Sequence, residues 1–195
     1  CFVLFSITQG KSFLSVSSFQ SMGKLFPEFG LLSIGMALAL LTGGIDLSFV
    51  YVANLCSIMA ALTIKAMTPE GDAGIGAILA GILVALIVGM ICGSLNGLLI
   101  SAVGIPAMLA TLGTQSLYNG LGVVASKGSS VTGSKPLSSF VSMKVVGIPM
   151  AAIIFVLCAA VMIFIISKTT LGYKIKMMGT NMKASAFSGF NNVKL

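Results

Sequence analysis

The amino-acid sequence predicts an all-α protein, a polytopic transmembrane helix bundle of about five spans with an N-terminal stub and one broken helix. Hydrophobic residues make up 57% of the 195 residues and charged residues only 8%, whereas about 25% of a soluble domain is charged. The charge-free stretches are also long, since none of the 54 residues 73–126 is charged. A helix that crosses a bilayer needs about 20 apolar residues. The chain therefore carries enough apolar sequence for several crossings.

The predicted spans are apolar stretches separated by polar loops. A stub at Cys1–Thr8 is followed by a polar loop at Gln9–Glu28. We place the spans at Phe29–Thr42, at Leu47–Ile64, twice within Ala73–Ser126, and at Val145–Ser167. The two middle spans separate near Pro106, because proline lacks a backbone donor and disfavours helix at the residue before it. Loops are expected at Lys65–Ala73 and Lys127–Lys144, and residues 168–195 are polar.

Both ends of the chain have the features of a truncated sequence. The apolar stub is too short to cross a membrane, and Asn191–Leu195 stops within a polar segment. We therefore expect residues 1–195 to be a single transmembrane domain that is truncated at both ends. A cleaved signal peptide is the alternative explanation of the stub, although no small-residue cleavage site follows it.

The distribution of lysine predicts the orientation of the bundle. The net charge of +7 comes from lysine alone, since the chain has no arginine and no histidine. Five lysines lie in the last 28 residues without an acid, namely Lys168, Lys174, Lys176, Lys183 and Lys194. Lysine-rich segments stay in the cytoplasm, so the interruptions near Asp46 and Pro106 should lie inside or at mid-membrane. The three lysines of residues 127–144 oppose this orientation mildly. Because the lysines lie in loops between apolar stretches, no nucleic acid partner is expected.

The chain offers little catalytic chemistry. Its four cysteines are isolated in apolar surroundings, which is typical of small buried hydrophobic residues, with a disulfide or metal site as the alternative. With no histidine, no arginine and four acids in all, the chain lacks the groups that an active site needs. We expect no catalytic residue, no metal and no cofactor in this chain, and therefore no enzyme.

Asp46 is an acid within an otherwise uncharged apolar stretch of 36 residues, 29–64. An acid at bilayer depth costs about 2.5–3.5 kcal/mol even on the insertion scale, so it normally has a partner or a task. Gly43 and Gly44 before it and Ser48 after it interrupt a helix, and broken helices occur at membrane depth only against protein or a water-filled cavity. The carboxylate is placed to cap the helix that starts at Ser48. This stretch indicates a membrane protein that moves a polar solute.

One predicted span carries a regular stripe of small residues. Every fourth residue is small, at Ala77, Gly81, Ala85, Gly89, Gly93 and Gly97. Such stripes let membrane helices approach closely. The stripe fits a central helix among moving neighbours and ordinary helix packing equally well, and both predict a compact bundle.

The following span has a polar face. Residues at three- and four-residue spacing share one side of a helix, here Thr111, Thr114, Gln115, Tyr118 and Asn119. Uncharged donors and acceptors suit the path of a hydroxylated solute. The alternative is interhelical hydrogen bonding, worth about 0.6 kcal/mol per contact. We prefer the pathway interpretation, and the candidate substrate-pathway residues are Asp46, Asn96, Thr111, Thr114, Gln115, Tyr118 and Asn119.

The polar tail is predicted to contain a short cytoplasmic helix. Asn181 can cap it, residues 182–188 fit two turns, and Gly189 ends it. Ala184, Phe187 and Phe190 give the helix an apolar edge, and residues 174–179 form the linker that attaches it to the last span. An exposed helix with an apolar edge favours docking to a partner protein, with adsorption to the lipid surface as the alternative.

Several strings occur together in a family-specific order. They are Leu-Thr-Gly-Gly-Ile-Asp-Leu-Ser at 41–48, Leu-Asn-Gly-Leu-Leu at 95–99, Gly-Ile-Pro at 104–106 and again at 147–149, Ala-Thr-Leu-Gly-Thr at 110–114, and Gly-Thr-Asn at 179–181 with Ala184 and Ser188-Gly189. In this order the chain resembles the permease subunit of ribose-type bacterial ABC importers, in the wider family that also serves branched-chain amino acids. The chain departs from the family pattern at Val50, at Ala107-Met108, at Met182-Lys183 and at Ser185.

The resemblance implies a multi-pass permease of the bacterial plasma (inner) membrane, of which this chain is roughly the N-terminal two thirds. It implies ATP-driven import of a sugar or similar small polar solute. The implied partners are a cytoplasmic ABC ATPase that binds the ATP, an extracytoplasmic solute-binding protein, a second permease copy and membrane lipid. The implied ATPase-docking residues are Gly179, Asn181, Ala184, Phe187, Ser188 and Gly189. The alternatives are a secondary transporter or channel for a small neutral solute, and a membrane-embedded enzyme.

Overall fold

The computed structural model describes residues 15–68, 74–133, 144–145 and 148–180. Within these ranges the chain forms six helices and one short antiparallel strand pair. The helices are α1 (Val16–Leu41), α2 (Phe49–Met67), α3 (Ile75–Ser101), α4 (Ala107–Ser126), α5 (Met150–Lys168) and α6 (Thr170–Thr180). The strands are β1 (Lys144–Val145) and β2 (Ile148–Pro149), directly before α5.

The helices have the surface of a membrane bundle. Four are long and apolar enough to cross a bilayer: residues Ser21–Leu41 of α1, and all of α2, α3 and α5. Large apolar side chains project outward, with Leu86 and Phe164 each 62% exposed, and α5 buries none of its residues. An apolar exterior of this kind suits lipid. The prediction of an all-α transmembrane bundle is confirmed.

The N-terminal helix starts earlier than predicted. The polar loop expected at Gln9–Glu28 is wrong from residue 16 onward, because α1 begins there. The Ser15 hydroxyl caps α1 by accepting a hydrogen bond from the Ser18 amide at 3.3 Å. Further along, the rings of Phe26 in α1 and Phe155 in α5 meet edge to face with centroids 5.3 Å apart. Packing against α5 and the serine cap together outweigh the polarity of this segment.

Helices α2, α3 and α4 pack around a small core. Leu55, Cys92 and Tyr118, one from each helix, form a buried cluster. The small-residue stripe of α3 is used only in part. A Cβ atom on Gly81 would lie 2.7 Å from Ile64 of α2, whereas added Cβ atoms on the glycines at positions 93 and 97 would meet no described atom within 4 Å. The stripe therefore packs closely against α2 over its first half.

The two predicted interruptions in the middle of the chain are confirmed. Residues 42–48 separate α1 from α2, and residues 102–106 separate α3 from α4. The last span begins later than the predicted Val145, because residues 144–149 contain a strand pair in which Lys144 lies opposite Pro149. Helix α5 then starts at Met150, directly after that proline.

The linker predicted at residues 174–179 is wrong, because these residues belong to helix α6. The turn into α6 is stabilised by Thr169, whose hydroxyl donates to the Ile165 carbonyl at 2.6 Å and accepts from the Gly172 amide at 3.3 Å. That arrangement caps α6 immediately after α5 ends. The N-terminal stub and the short helix predicted at 182–188 lie outside the described residues.

Candidate functional site

The site begins at the interruption between α1 and α2. Gly43 has a φ of +84°, a conformation that glycine adopts at little cost, and it turns the chain after α1. Asp46 follows, and its Oδ1 accepts hydrogen bonds from the Ser48 amide at 2.8 Å and from the Ser48 hydroxyl at 2.7 Å. Asp46 therefore bonds to Ser48, the N-cap residue of α2, rather than to the amides of the first turn of the helix.

Ser48 connects the interruption to the two neighbouring helices. The side chain is fully buried, with 0% exposure, and its Oγ accepts a hydrogen bond from Nδ2 of Asn96 in α3 at 2.7 Å. Oδ1 of Asn96 lies 3.0 Å from the Tyr118 hydroxyl of α4, which is also 2.9 Å from the Cys92 carbonyl oxygen. A continuous set of hydrogen bonds therefore joins the start of α2 to α3 and α4.

Thr111 holds the backbone of the interruption from the side of α4. Its Oγ1 accepts a hydrogen bond from the Leu47 amide at 3.2 Å and donates to the Ala107 carbonyl oxygen at 2.8 Å. The residue is 1% exposed. We call Asp46, Ser48, Asn96, Thr111 and Tyr118 the buried network.

The structure divides the six predicted pathway residues of α3 and α4 into two groups. Four of those in α3 and α4 are buried, namely Asn96, Thr111, Thr114 and Tyr118. Gln115 is half-buried and Asn119 is exposed, and neither side chain has a hydrogen-bond partner among the described residues. The hydrogen bonds of Asn96 and Tyr118 are of the interhelical kind that was the alternative explanation of this polar face. The pathway assignment itself stays a prediction.

A polar cleft of about 660 Å³ lies between α2 and α4. Its walls carry the polar side chains of Asn54, Ser57, Asn119 and Ser126 among apolar ones such as Ile58, Ile64 and Val123, and it continues along residues 128–133. We call this the polar cleft. Sequence reasoning missed Asn54 and Ser57, although a signal was present: two polar residues three positions apart in an apolar span share one helix face.

A close backbone contact joins the interruption to the end of α6. A Cβ atom on Gly179 would overlap the Leu41 carbonyl oxygen, and one on Gly43 would lie 3.3 Å from the Gly179 carbonyl oxygen. On the other side, a Cβ atom on Gly44 would lie 3.0 Å from that of Ala107, the first residue of α4. We call the approach of Gly43 to Gly179 the glycine contact.

Gly179 is the one predicted docking residue that the structure describes. The other five, Asn181, Ala184, Phe187, Ser188 and Gly189, lie outside the described residues. The glycine contact nevertheless places Gly179, the first residue of the predicted docking segment and part of α6, against the interruption that carries Asp46.

The described residues contain no group of three or more His, Cys, Asp or Glu side chains that could hold a metal ion. Cys56, Cys92 and Cys158 are free thiols, and Cys92 packs in the core cluster with Leu55. In the part of the chain that the structure describes, these cysteines therefore behave as small apolar residues.

Comparison with known proteins identifies a family. The family model described as the permease component of branched-chain amino acid transport systems matches residues 22–195. No solved structure matches the chain.

Curated relatives are similar over most of the chain. It is 36% identical to the ribose import permease protein of Bacillus subtilis over 82% of this chain, and 30% identical to the D-allose transport system permease protein of Escherichia coli over 83%. It is 32% identical to the fructose import permease protein of Bifidobacterium longum over 85%. The matches cover 48%, 48% and 46% of those relatives, so the chain spans about half their length.

Proposed function

Because this chain belongs to the family of permease components of branched-chain amino acid transport systems, we propose that it is the permease subunit of an ATP-driven importer for a sugar or a similar small polar solute. The observation that carries this proposal is the family match over residues 22–195. The names of the similar permeases for ribose, D-allose and fructose support the solute class. The chain is a multi-pass inner-membrane protein, in keeping with its four apolar helices.

The proposed importer needs partners that supply energy and substrate. A separate cytoplasmic ATPase subunit binds and hydrolyses ATP, since the permease itself is a transport subunit and not an enzyme. An extracytoplasmic solute-binding protein delivers the solute, and a second permease copy completes the membrane channel. The ATPase docks on residues 179–189, on the lysine-rich cytoplasmic side.

The glycine contact provides a route by which the ATPase could move the membrane helices. The docking segment follows α6, and Gly179 touches the backbone of the interruption at Leu41 and Gly43. The interruption is in turn bonded to α3 and α4 through Ser48 and Thr111. Closely packed and hydrogen-bonded elements move together, so displacement of the docking segment would reach the starts of α2 and α4 and the C-terminal part of α3.

The two groups of predicted pathway residues receive different roles in this proposal. The buried network positions the helices that form the wall of the solute path. Asn119 and Gln115 lack partners among the described residues and face the path itself. Asp46 has a structural task, because its described partners are the neutral amide and hydroxyl of Ser48.

Uptake by the complete importer tests the proposed function. The intact permease is reconstituted with its ATPase and binding protein in proteoliposomes, and uptake of radiolabelled D-ribose, D-allose and D-fructose is measured. Uptake should require ATP and should stop when the ATPase carries an inactive nucleotide site. Uptake that continues without ATP and collapses with a protonophore would instead indicate the secondary transporter.

Substitution of Gly179 tests the coupling route. Gly179→Ala places a methyl group against the Leu41 carbonyl and should lower ATP-dependent uptake severalfold while ATP hydrolysis continues. Gly35→Ala in α1 is the matched control, because an added Cβ meets no described atom within 4 Å there, and it should leave uptake unchanged. Equal effects of the two substitutions would contradict the coupling role of the glycine contact.

A further inference from the structure

The polar cleft carries side-chain groups that the buried network does not use. Asn54 and Ser57 of α2 and Asn119 of α4 are all exposed and line the same cleft. The Ser57 hydroxyl donates to the Asn54 carbonyl within α2 at 2.8 Å. The side-chain amides of Asn54 and Asn119 have no hydrogen-bond partner among the described residues, so each keeps both a donor and an acceptor available.

Lipid is a poor occupant for this cleft. Acyl chains cannot satisfy an amide, and polar groups within a membrane protein normally face the bundle interior or a water-filled cavity. The large apolar side chains on other faces of α4, such as Leu117 and Leu121, are 50% and 47% exposed and suit lipid well. The face of α4 with Leu117 and Leu121 therefore suits lipid, whereas the face that lines the cleft suits water or a polar solute.

The lining suits a neutral hydroxylated molecule. None of the described residues that line the cleft is charged or aromatic, so an ion would find no counter-charge. Asparagine amides and serine hydroxyls offer donors and acceptors together, as the hydroxyl groups of a sugar require. The volume of about 660 Å³ falls within the range of about 300–1,000 Å³ that is typical of small-molecule sites.

The position of the cleft places it on the extracytoplasmic side. Both α2 and α4 start near the interruption, and the cleft runs along them to Ser126 and on to residues 128–133, beyond the end of α4. The interruption contacts Gly179, which follows the lysines of α6 that the positive-inside rule assigns to the cytoplasm. The mouth of the cleft at residues 128–133 is therefore at the opposite end of the bundle.

We propose that Asn54, Ser57, Asn119 and Ser126 form a weak binding surface for a neutral polyhydroxylated solute at the extracytoplasmic entrance of the permease. This inference rests on the proposed function and adds the location and the residues of a solute site. Weak binding fits transfer, because a site on a conduction path must release its solute as readily as it accepts it. Hydrogen bonds without aromatic stacking supply such weak binding.

Site-directed thiol labelling tests the proposal. In the complete importer, with the native cysteines replaced by alanine, Asn54→Cys and Asn119→Cys are treated from outside with a charged, membrane-impermeant thiol reagent. Leu117→Cys and Leu121→Cys are the matched controls, since both positions are also exposed but lie outside the cleft. Both cleft positions should react severalfold faster than the controls, and millimolar D-ribose, D-allose or D-fructose should slow that reaction.

Each other outcome overturns the inference. Cleft positions that are no more reactive than Leu117→Cys would mean that lipid or protein covers this face, and disulfide cross-links between two permease copies at Asn54→Cys would assign the face to the second copy. If none of the three sugars slowed the labelling, the cleft would not be a solute-binding site. ATP-dependent uptake measured in the same vesicles separates these results from failure of the proposed function, because uptake persists if only the cleft assignment is wrong.

Discussion

The buried network and the polar cleft place the same kinds of side chain on neighbouring helices and differ in how those side chains are bonded. Asn96 in the network is 6% exposed and bonds to both Ser48 and Tyr118. Asn119 in the cleft is exposed and has no hydrogen-bond partner among the described residues. Tyr118 and Asn119 are adjacent in sequence, yet one belongs to each region.

This comparison shows that polarity in a membrane helix has two distinct uses. A buried amide with protein partners holds helices in place, whereas an unpartnered amide requires water, a solute or another protein beside it. Residue type does not distinguish the two cases. The number of partners does, and it predicts that equal substitutions in the two regions have unequal effects.

Replacing Asp46 should have the largest effect on stability. Asp46→Leu removes an acceptor with two hydrogen bonds at the start of α2, and a hydrogen bond to a charged group contributes about 1.5–3 kcal/mol. Asp46→Asn keeps an acceptor oxygen and should retain much of the stability and the transport. Unfolding in detergent is followed by labelling of the buried Cys92 thiol, with the other cysteines replaced. Equal losses in the two variants would show that charge, and not hydrogen bonding, matters at this position.

A matched pair of asparagine substitutions tests the comparison directly. Asn96→Leu removes two interhelical hydrogen bonds and should lower the free energy of unfolding by about 1–2 kcal/mol, since such bonds average about 0.6 and reach about 1.7 kcal/mol. Asn119→Leu makes the same chemical change one helix away. If Asn119→Leu destabilised the protein as much as Asn96→Leu, the division into network and cleft would be wrong.

Removing the Tyr118 hydroxyl should have a smaller effect. Tyr118→Phe keeps the ring in the core with Leu55 and Cys92 but removes the donor to Asn96, which should cost about 0.6 kcal/mol. The same Cys92 labelling assay measures the change, and combining Tyr118→Phe with Asn96→Leu should cost less than the sum of the two. Strict additivity would mean that the two side chains do not interact.

Substitution in the cleft should have the smallest effect on stability and a clear effect on transport. Asn119→Leu breaks no described hydrogen bond, so its free energy of unfolding should stay within about 0.5 kcal/mol of the parent. Sugar uptake should nevertheless fall severalfold, with ATP hydrolysis unchanged. Normal uptake by this variant would show that the cleft has no role in transport.

Much of the helical layout could be predicted from the sequence because apolar length and helix-breaking residues are local signals. The interruptions at Gly43 and Pro106 and the helices beside them follow from such signals. Two helix starts could not be predicted in the same way. Helix α1 extends through a polar segment that is capped by Ser15 and packed against Phe155, and α5 begins only after β1 pairs with β2. The first depends on a ring contact with Phe155, which is distant in sequence, and the second on a strand pair that apolar length alone does not reveal.

The candidate site could be predicted in composition but not in arrangement. Helical spacing placed Thr111, Thr114 and Tyr118 on one face, and these three are buried together. The same spacing included Gln115 and Asn119, which lie outside that buried face. It gave no indication that Ser48 connects Asp46 to Asn96, because hydrogen-bond partners 48 residues apart leave no local pattern.

By itself the sequence determined that this chain is a membrane helix bundle, where its helices are interrupted, and which polar residues lie within them. These properties depend on residue type and near neighbours, since the bilayer sorts residues by apolarity and helices break at glycine and proline. Only the tertiary structure decided which polar groups have partners. Asn96 is satisfied because α2 and α4 bring Ser48 and Tyr118 to it, and Asn119 faces an open cleft because no described element crosses that face. Whether residues distant in sequence become hydrogen-bond partners depends on how the helices pack.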